Sequence, residues 1–221
     1  MEEVVKILSI EQVTHDVKKY RFEKPKDYRF EPGQATDVSI NQDKWRGELR
    51  PFTFTSLNEW PFLEFTIKSY RDHDGVTHAL DKLRAGDELI IRDVWGAIAY
   101  KGEGIFIAGG AGITPFLAIL RQLNKDKKIG KNQLFFSNKT EADIILRDEL
   151  TAMLGDKAHF ILTRSSAPGI EKGYIDKEFL KKNVKDFSVP FYVCGPDKMV
   201  QSISSTLQSL GASPEAVVFE Q

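Results

Sequence analysis

Gly109-Gly110-Ala111-Gly112-Ile113-Thr114-Pro115 carries the strongest chemical signal in the chain. Glycines have no Cβ, so a ligand can approach their backbone closely. A helix opening at Pro115 adds free N–H groups and a positive dipole end, the setting for an anion such as a pyrophosphate. Pro115 suits a first helical turn, where its missing N–H is not needed. The spacing departs from Gly-x-Gly-x-x-Gly, because Thr114-Pro115 stands where a third glycine would come. Taken alone, these residues also read as a tight strand-to-helix turn with no ligand. Asp74-Gly75-Val76-Thr77 is a second turn into a helix and a second possible anion site. Thr77 there either caps the helix or meets a phosphate oxygen. Arg50-Pro51-Phe52-Thr53-Phe54-Thr55-Ser56 is a strand with a basic start, which by itself an exposed arginine at a sheet edge would explain. Tyr192-Val193-Cys194-Gly195-Pro196 is a strand closing on a Gly-Pro turn. Strand ends line the ligand crevice of an open α/β sheet, so Cys194 lies beside the Gly109–Pro115 turn if the two strands are neighbours.

The elements that must position these residues fall into two rhythms. Up to about Tyr100 the pattern predicts short strands at 4–12, 17–22, 35–40, 52–56, 63–70 and 88–92, with one short helix at 76–83. Many strands parted by turn signals, such as Pro32-Gly33 and Ala85-Gly86-Asp87, point to an antiparallel barrel or sandwich. From Gly104 strands and helices alternate: strands at 105–108, 133–137, 159–163, 191–194 and 216–219, helices at 115–123, 144–154, 177–183 and 198–210. That alternation is the mark of a doubly wound, mainly parallel sheet. The change of rhythm divides the chain into residues 1–101 and 102–221.

Composition narrows the function classes. A net charge of −1 gives no reason to expect nucleic acid or an anionic membrane as partner. With Cys194 as the single cysteine, the chain forms no internal disulfide, and no iron–sulfur or zinc site built on several cysteines. The four histidines have no metal-ligand spacing, so no metal is expected. No nucleophile elbow supports a Ser-His-Asp hydrolase. No leader pattern opens the sequence, and no apolar run approaches the roughly 20 residues of a membrane span. A reduced, soluble, cytoplasmic protein is the expectation.

An Arg-x-aromatic-Thr strand, a Gly-Val-Thr turn before a helix, a Gly-x-Gly-Ile-Thr-Pro turn and a Cys-Gly-Pro strand end occur here in this order. Each is weak alone, but together the chain resembles the ferredoxin–NADP reductase superfamily of flavoproteins, from Ile10 to Glu220. The resemblance implies an N-terminal antiparallel β-barrel that binds FAD and a C-terminal α/β domain that binds NAD(P), with the flavin between them. It implies that Arg50 pairs with flavin phosphate, where a guanidinium fork suits the oxygens. Pro51 and Phe52 would lie along the flavin, Phe52 in the place of the family's usual tyrosine, which keeps a stacking face without the hydroxyl. Thr53 would sit near the flavin's hydride-accepting nitrogen. Ile67 and Lys68 would flank the ring through their backbone, and Gly75, Val76 and Thr77 would hold the pyrophosphate. Gly109, Gly110, Gly112 and Thr114 would line the nucleotide's pyrophosphate and ribose, and Cys194, Gly195 and Pro196 would border the nicotinamide. Thr53, Cys194 and Glu220 are the expected catalytic residues.

Two departures from the family pattern stand out. The chain ends Val217-Val218-Phe219-Glu220-Gln221, without the terminal aromatic that stacks over the flavin in many members. Asp93-Val94-Trp95-Gly96 replaces a more usual Gly-Pro-x-Gly. For the hydride donor, Ser137 and Lys139 at the end of the second strand favour a 2′-phosphate and hence NADPH over NADH, and Arg164 adds charge; a solvated lysine is the other reading. The chain has no cysteines for an iron–sulfur centre of its own, so electrons must leave to an external acceptor. Ferredoxin or flavodoxin is the first expectation. Reduction of free flavin or another small acceptor is one alternative, and a non-catalytic regulatory subunit on the same fold is another.

Overall fold

The computed structural model describes residues 2–71, 74–96 and 98–219. The N-terminal half contains β1 (Glu3–Thr14), β2 (Val17–Glu23), β3 (Gln34–Ile40), β4 (Arg50–Thr53), β5 (Phe62–Lys68), α1 (Val76–Asp81) and β6 (Glu88–Gly96). They form an antiparallel sheet in the order β4-β3-β6-β1-β2-β5. Its two edges meet. Phe54 N–H still donates to Gln34 O beside β4 (3.1 Å), while Thr55 N–H donates to Glu64 O of β5 (2.8 Å), so the chain bridges both edges and the sheet closes into a barrel. The expected strand at 52–56 is therefore two things: a ladder over Arg50–Thr53, then a crossing segment. Inside, Phe54 stacks on Phe30 at 4.3 Å and lies 5.2 Å from Phe65, beside Phe22, Val38, Leu63 and Leu89.

The C-terminal half contains β7 (Ile105–Gly109), α2 (Thr114–Lys125), β8 (Gln133–Asn138), α3 (Arg147–Leu154), β9 (Ala158–Leu162), β10 (Glu171–Lys172), α4 (Lys177–Asn183), β11 (Phe191–Cys194), α5 (Asp197–Ser209) and β12 (Val217–Phe219). All pairings are parallel, in the order β10-β9-β8-β7-β11-β12. Alternate residues of one strand serve opposite layers. Leu134 and Phe136 pack with Phe116, Leu120 and Leu150 of α2 and α3, whereas Phe135 packs with Leu180 of α4 and Leu207 of α5. The chain runs outward from β7 in one direction and then returns to β11 on its other side. The switch point thus falls between β7 and β11, where ligands bind in such sheets.

The helix expected over 144–154 begins only at Arg147. Thr140 and Asp143 form a reciprocal capping box on a short 3-10 turn over Glu141–Asp143. The chain then runs extended through Ile144, and Leu146 takes a left-handed φ of 52°. Ile144 and Ile145 are buried as apolar plugs ahead of the helix, which their hydrophobicity alone does not distinguish from a helical face. The two-residue β10 has no periodicity to betray it.

The halves share packing. Val17 and Ile98 of the first half belong to the core under α2. Tyr192 of β11 ties the connection, accepting from Lys101 N–H and donating to Gly102 O, both at 2.8 Å.

Candidate functional site

At the switch point, Ala108 pairs with Cys194 and Gly109 with Ser137, so the expected adjacency of the glycine turn and Cys194 is present. A Cβ at Gly112 would lie 2.3 Å from Cys194 O and 2.6 Å from Gly195 N. One at Gly109 would lie 2.4 Å from Met199 Sδ and 3.0 Å from Pro196 Cδ. Gly112 is required because the atoms that crowd it are backbone at the end of β11, whereas the nearest neighbour of Gly109 is the tip of the flexible Met199 side chain, which can give way. Gly110 differs: its φ is +53° and a Cβ there would meet nothing within 4 Å, so this flank of the turn is open. The turn runs as a 3-10 segment over Gly110–Ile113 into α2, with Pro115 in the first turn and no acidic residue or side-chain cap at either start. Thr114 Oγ1 donates to Ala111 O (3.0 Å) and braces the loop. Backbone N–H groups left without side-chain partners beside an open flank fit a pyrophosphate.

At the end of β8, Ser137 is half-buried and Lys139 is exposed. Arg164, also exposed, lies alongside, since its N–H donates to Lys139 O (2.9 Å). Between Ser137 and Lys139, Asn138 is buried with both its amide atoms unpartnered, a polar group at the strand end that the sequence did not single out.

The barrel half offers a second cradle. Arg50 opens β4, exposed, and its partners among the described residues are local: Nη1 donates to Leu49 O (2.6 Å), and Nη2 stands 3.9 Å from Glu48. Pro51 is exposed beside it, the Phe52 ring lies 5.8 Å from that of Phe65, and Thr53 is buried. Gly75 is the N-cap of α1, whose first turn has neither a side-chain cap nor an acid. Thr77 is not the cap. Its Oγ1 accepts from Tyr70 N–H at 3.4 Å, and it stands two residues after the N-cap Gly75. Lys44 pairs with Asp74 at 3.0 Å and draws the loop before Arg50 towards Gly75. Val76 and Ile67 are buried, and Lys68 points its ammonium at Asp16 (2.8 Å), leaving its backbone for any ligand contact. Burial alone would raise the Asp16 carboxyl, but Lys68 and Thr14 hold it below the usual carboxylate range. An uncapped helix start and an exposed guanidinium, both on the barrel, are groups that suit a dinucleotide's phosphates.

Glu220, expected to be catalytic, lies outside the described residues. Cys194 is buried and not in a disulfide. Its Ser variant is expected to fold as wild type yet slow nucleotide-driven flavin reduction by about 1–2 kcal/mol, roughly 5- to 30-fold in rate. Stopped-flow absorbance reads this directly, and an unchanged rate makes the thiol a packing group. His15, Asp16 and Asp143 come together near the surface, where Lys68 and Thr14 bond Asp16 and Thr140 bonds Asp143.

Residues 4–100 match the family model described as an oxidoreductase FAD-binding domain, and residues 106–205 that of an oxidoreductase NAD-binding domain. NADH-cytochrome b5 reductase 2 of Coccidioides immitis (strain RS) is 30% identical, over 93% of this chain and 69% of that protein. A ferredoxin NADP+ reductase from Neisseria gonorrhoeae, solved with bound FAD and NADP, superposes with a TM-score of 0.83 at 23% identity, over 95% of this chain and 92% of that one. The cytochrome b5 reductase domain of Ulva prolifera nitrate reductase gives a TM-score of 0.83 at 22% identity, over 97% and 95%. The two domain models and the 30% identity to an NADH-cytochrome b5 reductase show that the chain belongs to that family of FAD- and NAD-binding oxidoreductases, on a fold it shares with ferredoxin NADP+ reductase, and that it is a flavin-dependent NAD(P)H oxidoreductase.

Proposed function

We propose that residues 1–101 hold FAD, that residues 102–221 hold NADPH, and that electrons leave to a small external one-electron carrier. When bound, FAD accepts a hydride and releases electrons singly, which is the chemistry the side chains cannot supply. Arg50, Gly75 and Val76 bind its phosphates through the guanidinium and the free N–H groups of α1. Phe52 covers the ring and Thr53 orients it. The turn from Gly109 to Thr114 holds the nucleotide's pyrophosphate, and the end of β11 at Cys194, Gly195 and Pro196 sets the nicotinamide's place. The observation that carries this reading is the uncapped, open-flanked Gly109–Pro115 turn at the β7/β11 switch point.

The relatives move the acceptor away from the ferredoxin or flavodoxin expected from sequence. Cytochrome b5 is the acceptor named for the Coccidioides relative, and a cytochrome b5-type haem protein is our first choice. Anaerobic stopped-flow oxidation of the reduced protein by cytochrome b5, ferredoxin, flavodoxin and free flavin in parallel tests it. A carrier faster than cytochrome b5 overturns the choice. A preparation that NADPH and NADH both fail to bleach overturns the enzyme reading in favour of a regulatory subunit. A reducing compartment, the cytoplasm, suits a chain with a single cysteine and hence no internal disulfide.

The NADPH preference rests on Lys139 and Arg164, two exposed cations on segments joined by the Arg164 N–H bond to Lys139 O, without an acid in the Ser137–Lys139 segment. A 2′-phosphate meets them as screened point charges. NADPH is expected to exceed NADH in kcat/KM, and Lys139→Ala to close the gap by about 1–2 kcal/mol. Added salt narrows it too. A wild-type protein that prefers NADH, as the name of the Coccidioides relative says of that enzyme, removes this assignment and leaves the flavin site untouched.

A further inference from the structure

Helix α2 has the nucleotide turn at its first end, and Arg121, two turns further along, reaches out of its own domain. The Arg121 side chain is 7% exposed and Glu64 of β5 is 1% exposed. Arg121 donates from Nη1 to Glu64 Oε1 (2.8 Å) and to Thr55 O (2.5 Å), both in the flavin domain. From Nε and Nη2 it donates to Glu149 Oε1 and Oε2 (2.6 and 2.9 Å), on α3 of the nucleotide domain. Glu64 is satisfied further by Arg21 Nε and Thr55 Oγ1, each at 3.0 Å. The Trp60 ring covers the guanidinium at 5.3 Å. Burial opposes the charge on Arg121, and the bonds to Glu149 and Glu64 more than offset it.

A buried ion pair of this kind is a poor source of stability, because desolvation consumes most of the attraction and apolar replacements are often neutral. What it supplies is registry. One rigid fork is fixed by two carboxylates on opposite domains and by a backbone carbonyl. That carbonyl, Thr55 O, lies two residues beyond Thr53 on the segment leaving the flavin strand β4. The same side chain is therefore anchored to the helix that presents the nucleotide turn and to the chain that runs on from the flavin strand.

We infer that Arg121 is a positioning residue for hydride transfer: its fork to Glu149, Glu64 and Thr55 O fixes the separation of the nucleotide turn from the flavin strand. The inference rests on the hydride-transfer reading above. A misplacement of about 1 Å costs as much as 100-fold in such a step.

The test uses the FAD-loaded protein with Arg121→Met, Arg121→Lys and Glu149→Gln. For Arg121→Met the limiting rate of anaerobic flavin reduction at saturating NADPH is expected to fall about tenfold or more, with the half-saturating NADPH concentration within about threefold of wild type. Reduction of the same flavin by dithionite, which needs no nucleotide domain, stays at the wild-type rate. Amide exchange speeds up in the segments around Thr55–Glu64 and around Arg121 even without nucleotide. Arg121→Lys keeps the charge but loses the fork, and Glu149→Gln loosens the fork while keeping its reach to Glu64; both are expected between wild type and Arg121→Met. Should Arg121→Met fail to fold, these two decide. Unchanged NADPH reduction and exchange overturn the inference, as does a slowing shared equally by dithionite, which marks a general structural loss. If wild type is not reduced by either nucleotide, the enzyme reading fails instead, and the exchange measurement alone then decides whether Arg121 locks the domains.

Discussion

Gly112→Ala is expected to destabilise the protein by about 2–4 kcal/mol, a fall of roughly 4–16 °C in Tm for a chain of this size. The reason is steric and local. The new methyl would sit 2.3 Å from Cys194 O, 2.5 Å from Cys194 C and 2.6 Å from Gly195 N. All three are backbone atoms, at the point where Cys194 pairs with Ala108 in the β7–β11 ladder, so no flexible side-chain tip can swing aside. Relief requires the turn to lift off β11, which spoils the nucleotide cradle and leaves the barrel alone. FAD should therefore stay bound while reduction by NADPH is lost. Gly110→Ala is the control. There the added methyl meets open space, and the cost is only that of a left-handed φ, about 1–2 kcal/mol. Scanning calorimetry and flavin absorbance on both variants decide the matter. A Gly112→Ala protein as stable as Gly110→Ala would mean that the turn does not press on β11 as described.

Arg50→Ala is expected to weaken FAD retention by about 1.5–3 kcal/mol, roughly 10- to 150-fold in Kd. The flavin released on heating should be FAD and not FMN by mass. Among the described residues Arg50 makes only a bond to its neighbour's carbonyl and a long approach to Glu48, so the Tm of flavin-free protein should not move on its removal. Its fork is available to a phosphate, and the free N–H groups after Gly75 offer a second contact to a pyrophosphate, which FMN lacks. Equilibrium titration of the flavin-free variant with FAD gives the number. Wild-type affinity would remove Arg50 from the site, and FMN alone in the preparation would remove the Gly75–Val76 assignment.

Much of this protein was legible in its residues. Alternation of apolar residues at a period of two up to about Tyr100, then strand–helix alternation from Gly104, determined an antiparallel half followed by a parallel one, because side-chain period follows backbone geometry. The glycine turn before Pro115 was legible as a candidate anion site by the same local logic, since Cβ absence and an uncapped helix start act within a few residues. Where tertiary packing competes with local preference, the residues alone misled. Ile144 and Ile145 look helical but serve as plugs before α3, and Thr77 looks like a cap but bonds Tyr70 N–H. The tertiary structure alone decided that Gly112 is bound to be a glycine, because the backbone atoms that crowd it come from the end of β11, more than 80 residues away along the chain. It also made a single unit of Arg21, Thr55, Glu64, Arg121 and Glu149. Each is an ordinary polar residue in sequence. Only the closure of the barrel and its docking against α2 exclude water from Thr55, Glu64 and Arg121, with Arg21 and Glu149 closing the cluster from its solvent side, and that exclusion is what turns scattered charges into one fixed fork.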